Sequence, residues 1–380
     1  MSEIYDFILF ENYHLAHNHK IDLVLIARML QDQGLRVAIL DIYGEDKVNN
    51  IEGVEVIRLP FNSYPPVYKK TFGKTRLLWH QRKYYKRVIE HIESQAKNFY
   101  CGSYHVLLPS ILLDIKKPCY FWGLRSSRMT KFLRMQRNSD PVCVLHAMRL
   151  KRKFMKNLNM RLFVSNEIIK GEFENLGIDS KRLVIREERC VEEDTPNRLE
   201  LCPNTPTFLV IGQLRKQKHI STTIAAFKKA NLENSILYLV GRSQDNYEET
   251  ISKAIGNDNR IERINNFLSY KDFLSYYSKA HFVLFADEQG DSCITNGTFT
   301  EALIKHRPVI APNHNPFSYY INKYGVGLLY TPGDVDSYAD AIRRGSDLGT
   351  AYFQTNINIF LETIKFENAA KDLVDYIKTL

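Results

Sequence analysis

FLVIGQLRKQKHISTTIAAFKKANLENSILYLVG, residues 208–241, is the stretch on which the fold turns. It opens on an unbroken apolar run that stops at Gly212 and closes on a second run that stops at Gly241. Short continuous apolar runs, as opposed to alternating ones, mark strands buried on both faces. The polar and basic turn and the helix-length segment between them complete a strand–helix–strand unit. Such units build a parallel sheet covered by helices.

The pattern extends in both directions. Downstream lie RIERI (260–264), FVLFA (282–286), PVIA (308–311) and GVGLLY (325–330). Upstream, a separate series begins with YDFILF (5–10), the helical KIDLVLIARMLQDQG (20–34) and RVAILDIYG (36–44). It continues through VEVIRLP, YHVLLPS, PCYFW, PVCVLH and RLFVS. Between the two series, RCVEEDTPNRLELCPNTPT (189–207) is polar, holds three prolines and has neither period. It reads as a linker. At 380 residues the chain exceeds one ordinary core. The fold class expected is α/β: two doubly wound Rossmann-like domains facing a cleft. The divisions are 1–190, a linker at 191–205, 206–362, and a last helix at 363–380 crossing back to the first domain.

Composition excludes several classes. Hydrophobic content of 44% and charged content of 25% are those of a globular protein. The start, MSEIYDFILFEN, carries acids where a secretory signal has a basic region, and no stretch reaches about 18 uninterrupted apolar residues. The six cysteines, 101, 119, 143, 190, 202 and 293, lack CxxC spacing and read as reduced core thiols of a cytoplasmic protein. The charge is uneven. Residues 116–161 carry a net +12 and residues 69–87 a net +8, within a chain of +9. A basic face of this kind meets an anionic partner. In TRLLWHQRKYYKRVIEHI (75–92), Leu77, Tyr84, Val88 and Ile92 fall on one helical face. Such a helix suits either an anionic bilayer or a sheet. No nucleic-acid module accompanies the basic segments, so nucleic acid is not an expected partner.

Ligands in doubly wound sheets sit beyond the carboxyl ends of strands. Two loops there carry anion chemistry. In IGQLRKQKHI (211–220), Gly212 ends the strand and Arg215 and Lys218 follow. These cations suit a diphosphate clamp, or form a solvated basic turn. In DEQGDSCITNGTFTEALIKHRPVIAP (287–312), small polar residues lead into a helix at 298–305. Thr295, Asn296 and Gly297 there offer free backbone N–H groups to an anion, or Thr295 and Asn296 simply cap the helix. Glu301 lies one turn in, within reach of a hydroxyl beside the anion. Asp334-Val335-Asp336 follows Pro-Gly and precedes a helix, so it reads as a cap and not a metal site. His14, His17 and His19 lack the i,i+4 spacing of a helical metal site and read as substrate contacts or surface loop. No metal or other cofactor is expected.

Several of these residues occur in the order seen in one family. Gly212-Gln213-Leu214-Arg215-x-x-Lys218, Gly241, Thr295-Asn296-Gly297, Glu301-Ala302-Leu303, Arg307 to Pro312, Gly325-x-Gly327-Leu328 and Pro332-Gly333-Asp334 resemble the donor-binding domain of glycosyltransferase family 4 (group 1). These are retaining enzymes of the GT-B fold. The resemblance spans about 205–345, and the first domain shares only its architecture and pieces such as LFVSNEIIKGEFENLGI. It implies a nucleotide-sugar donor with its pyrophosphate on Arg215 and Lys218. A phosphate would sit on the backbone at 296–298, the ribose hydroxyls on Glu301, and the base in the loop 264–267 with Asn265 and Phe267. His146, at the end of PVCVLH, would bond the donor sugar, and His14 and His17 would lie on the acceptor side. The chain departs from the family at Cys293, eight residues before Glu301, where a glutamate is usual. The activity implied is sugar transfer to a glycan or lipid-linked acceptor in surface polysaccharide biosynthesis, in the cytoplasm or at the inner membrane face. The alternatives are a nucleotide-sugar epimerase or phosphorylase of the same fold, and a non-catalytic nucleotide-sugar or glycan-binding protein.

Overall fold

The structure, a computed structural model, describes residues 5–11, 20–42, 50–51, 53–60, 83–102, 117–122, 152, 156, 158–175, 177–186, 205–244, 247–287, 297–365, 368 and 374–376. The chain forms two compact units, Met1–Arg189 with Phe366–Leu380, and Cys190–Lys365.

The second unit is built on β9 (Thr207–Ile211), β10 (Ile236–Val240), β11 (Ile261–Ile264), β12 (Phe282–Leu284), β13 (Val309–Pro312) and β14 (Gly327–Tyr330). All neighbours pair in parallel, in the order β11-β10-β9-β12-β13-β14. Every residue of β9 is buried, as its continuous apolar run requires of a central strand. The helix Ile220–Ala230 turns Ile220, Ile224, Ala226 and Phe227 into the core and ends where Asn231 adopts a left-handed conformation. Phe227 packs edge-on against Phe208 of β9, and each such buried ring contributes about 1.5–3 kcal/mol. The chain winds outward from β9 to β11, then returns to β12 on the other side. The switch point therefore lies at the carboxyl ends of β9 and β12, where doubly wound sheets bind ligands.

The first unit carries β1 (Tyr5–Glu11), β2 (Val37–Asp41), β3 (Asn50–Ile51), β4 (Val54–Arg58), β5 (Ala96–Gly102), β6 (Cys119–Trp122), β7 (Met160–Val164) and β8 (Leu183–Ile185). Their order is β3-β4-β2-β1-β5-β6-β7-β8, parallel except for the edge strand β3. Three strands escaped the sequence reading: β5, β8 and the two-residue edge strand β3. β5 is central, yet AKNFYCG has a lysine and an asparagine at its second and third positions. Both bind Asp6 of the neighbouring β1, Lys97 Nζ to its carboxylate at 2.8 Å and Asn98 Nδ2 to its carbonyl oxygen at 3.1 Å. YHVLLPS and PVCVLH lie outside the described residues. The C-terminal segment groups with this first unit: Val374 is buried in its core, and the Tyr376 hydroxyl donates to the Lys181 carbonyl at 2.7 Å.

Residues 83–92 are helical, with Tyr84, Tyr85, Val88, Ile89 and Ile92 buried and Lys83, Lys86 and Arg87 exposed. Of the apolar face read from the sequence, Leu77 lies outside the described residues and the rest packs inward. That face is committed to the protein interior and is not available to enter a bilayer, which leaves the outward face basic. Among the described residues no helix is long and apolar enough to cross a membrane, and Cys101 and Cys119 are buried free thiols.

Candidate functional site: an anion cradle and an adjoining pocket

Three strand ends meet at the carboxyl edge of the second sheet. The Gly212 amide donates to the Val240 carbonyl at 3.0 Å, and the Gly241 amide to the Ile264 carbonyl at 2.9 Å. The loops continue the pairing beyond the strands. Leu214 donates to the Arg242 carbonyl at 3.0 Å, Gln244 donates back to the Leu214 carbonyl at 2.9 Å, and the Ser243 amide donates to Asn265 Oδ1 at 3.0 Å. One hydrogen-bonded run thus links the basic loop after β9 to the loop after β11.

Gly212 has φ +102°, which favours glycine. A β-carbon placed on it would lie 3.6 Å from Lys218 Nζ and 3.6 Å from Thr298 Oγ1. The ammonium from the β9 loop and the hydroxyl from the first turn of the helix Gly297–Ile304 therefore converge beside a bare backbone. Lys218 is not a solvated turn residue: it is 8% exposed. Of the three donors an ammonium carries, one reaches the Ile211 carbonyl at 3.3 Å, and among the described residues no carboxylate pairs with it. Arg215 is exposed and acts electrostatically on both Lys218 and Asp287. Glu301 is buried, one turn into the helix.

Asp287, just beyond β12, was not singled out as a ligand-facing group from the sequence. Burial pushes its carboxyl above the usual value, against the opposing pull of Lys218 and Arg215. His314, at the end of β13, holds its backbone through Nε2, 2.9 Å from the Asp287 carbonyl, while Nδ1 lies 3.0 Å from the Asn315 carbonyl. The signal for both residues was their place just past a strand end, in a sheet that binds at such ends.

Burial likewise holds the Lys218 ammonium below its ordinary value of 10.5; Asp287 opposes the shift and Arg215 adds to it. The charged form is therefore penalised in the folded protein. That penalty is complete below the folded pKa and fades as pH climbs from there toward 10.5. An anion bound in the cradle raises the pKa again, so binding takes up protons on the alkaline flank. Diphosphate affinity is expected to fall with rising pH at a lower pH than an ordinary lysine dictates. Titration calorimetry in buffers of different ionisation enthalpy measures this uptake. In Lys218→Met it should vanish, and uptake that persists there would assign the proton to another group.

The second feature is an open pocket of about 400 Å³ lined by Arg242, Ser243, Asn265, Asn266 and Phe267. That volume suits part of a small ligand. Phe267 is 92% exposed, a bare aromatic face at the pocket. Asn265 spends its side-chain oxygen on Ser243, which leaves the amide N–H groups as its remaining polar function.

Of the site residues read from the sequence, Gly212, Lys218 and Thr298 come together, Gly297 opens the same helix, and Asn265 and Phe267 line the pocket. Asn296, His14, His17 and His146 lie outside the described residues, as do the basic segments for most of their length. Asp334 behaves as a cap, its Oδ1 accepting from Asp336 at 2.9 Å and Ser337 at 3.0 Å. Among the described residues no cluster of potential metal ligands occurs.

Residues 191–348 match the family model described as glycosyl transferases group 1. A search of curated proteins gives no match. Solved structures align over nearly the whole chain. Sucrose-phosphate synthase from Thermosynechococcus elongatus aligns with TM-score 0.70 at 17% identity, covering 98% of each chain. WaaG, a glycosyltransferase involved in lipopolysaccharide biosynthesis, aligns with TM-score 0.67 at 14% identity, covering 97% of this chain and 98% of its own. Anabaena Alr3699/HepE, solved in complex with UDP, aligns with TM-score 0.67 at 12% identity, covering 99% of this chain and all of its own. The chain thus has the fold of the GT-B glycosyltransferases, and its residues 191–348 are similar to the glycosyl transferases group 1 family.

Proposed function

We propose that the protein is a retaining glycosyltransferase that moves a hexose from a nucleotide-sugar donor to a glycan or lipid-linked acceptor in surface polysaccharide biosynthesis. The observation that carries this reading is the buried Lys218 ammonium and the Thr298 hydroxyl, each 3.6 Å from one point beside Gly212 at the switch point of the sheet. A diphosphate placed there meets a cation already stripped of water, whose interactions with charge are stronger than in solvent. Arg215 adds a second charge from the exposed side. As the bond between sugar and diphosphate breaks, negative charge grows on the departing nucleoside diphosphate, and these cations stabilise it without a metal. The acceptor hydroxyl attacks from the face that the diphosphate leaves, so the anomeric configuration is kept. The adjoining pocket takes the base, and Glu301 takes the ribose hydroxyls. The neighbour Alr3699/HepE was solved with UDP and with UDP-glucose, which makes UDP-sugars the first donors to try. The protein works in the cytoplasm, with the basic outward face of helix 83–92 meeting anionic headgroups by charge alone.

A screen of UDP-, GDP-, ADP-, CDP- and TDP-sugars tests the reading. One donor is expected to be hydrolysed slowly to free sugar and nucleoside diphosphate, with the sugar released in the donor's anomeric form. An isomerised sugar nucleotide would turn the assignment to an epimerase. Tight binding with no turnover of any donor, with or without acceptor glycans, would make the protein a binding module.

A further inference from the structure

The pocket beyond β11 is shaped by a residue that does not line it. Arg263, in β11, turns its guanidinium across the ends of two strands. Nη1 donates to the carbonyls of Leu239 at 3.0 Å, Gly241 at 2.8 Å and Ile264 at 2.6 Å. Nε and Nη2 grip the Glu248 carboxylate at 3.1 and 2.8 Å. This is a fork that lysine cannot reproduce. The side chain is only 11% exposed, and Glu248 is 32% exposed.

Two of the three carbonyls, those of Gly241 and Ile264, mark the place where β10 and β11 stop being strands, and Leu239 lies within β10. Gly241 precedes Arg242 and Ser243, and Ile264 precedes Asn265, Asn266 and Phe267, so the clamp holds the residue immediately before each pocket-lining stretch. Those bonds fix the backbone from which both loops start. The Asn265–Ser243 bond then fixes the two loops against each other. Arg263 touches none of Gly212, Lys218 or Thr298 through any of these bonds.

We propose that Arg263, held by Glu248, is the positioning residue of the base-receiving loop, setting affinity for the nucleoside part of the donor and leaving the phosphate cradle to itself. The inference rests on the functional reading above, and its test separates the two. Calorimetry compares the wild-type protein with Arg263→Ala, Arg263→Lys and Glu248→Gln. The probes are inorganic pyrophosphate and the tightest-binding of UDP, GDP, ADP, CDP and TDP. In Arg263→Ala the nucleoside diphosphate should weaken by about tenfold or more, with pyrophosphate changed by less than about twofold. Arg263→Lys should fall between Arg263→Ala and wild type. Glu248→Gln removes the charge and one of the two acceptor oxygens, and keeps the fold testable if Arg263→Ala melts low; it should shift the nucleoside diphosphate in the same direction by a smaller factor. Equal weakening of both probes, or unchanged nucleoside diphosphate affinity, overturns the proposal while the functional reading stands. A wild-type protein that binds neither probe overturns both.

Discussion

Replacing Arg215 and Lys218 together by alanine should abolish the rise in melting temperature that a nucleoside diphosphate gives the wild-type protein. Each lost charge-assisted contact removes about 1.5–3 kcal/mol of binding, so the pair removes on the order of 10²- to 10⁴-fold in affinity. At a ligand concentration of about 100 times the wild-type Kd, binding contributes about 2.7 kcal/mol, equivalent to about 5–10 °C for a unit of this size. In the double variant that rise should vanish. The unliganded variant is not expected to melt much lower, because the cost of burying the Lys218 ammonium outweighs the attraction of Asp287, and removing it removes that desolvation cost. Differential scanning calorimetry with and without ligand separates the two effects. An undiminished rise in the double variant would take both residues out of the site.

Gly241→Ala is the second large effect, and it acts through the backbone. A β-carbon at Gly241 would lie 2.0 Å from the Gly212 carbonyl oxygen and 2.8 Å from its carbon, at φ +123°. No side-chain rotation relieves this contact, because the obstacle is the neighbouring strand end. The strain of the dihedral alone costs about 1–3 kcal/mol, and forcing β9 and β10 apart adds to it. A loss of more than about 3 kcal/mol, or about 6–12 °C in melting temperature, is expected. Gly333 is the control: its φ is +78°, and nothing lies within 4 Å of an added β-carbon, so Gly333→Ala carries the dihedral strain without the clash. Any folded Gly241→Ala protein should also bind nucleotide weakly, since the displaced backbone is that of Gly212. Equal melting temperatures for the two variants would show that the strand ends yield easily.

The second sheet was legible because its strands are continuous apolar runs, and burial on both faces demands such runs. β5 was not, because its polar start is satisfied by Asp6 on β1, a partner distant in sequence. The anion loops could be found from glycine and cation placement past strand ends. The burial of Lys218 could not. It is a property of the folded chain, in which Lys218 and Thr298 of the helix Gly297–Ile304 approach the same face of Gly212, and nothing in GQLRKQK distinguishes that lysine from Lys216. Asp287 opens the stretch 287–312, and nothing in the sequence separates it from Glu288 and Asp291 nearby. Arg263 and Glu248 were invisible for the same reason as Lys218: each is an ordinary polar residue of an edge strand or a surface helix until the fold brings their fork and carboxylate together.

An experimental structure with a bound nucleoside diphosphate tests the central claim most directly. The account places a diphosphate oxygen within hydrogen-bonding distance of both Lys218 Nζ and Thr298 Oγ1, against the bare face of Gly212, with the base beside Phe267 and Asn265. A diphosphate bound elsewhere, with the Lys218 ammonium still turned to the Ile211 carbonyl, would contradict it.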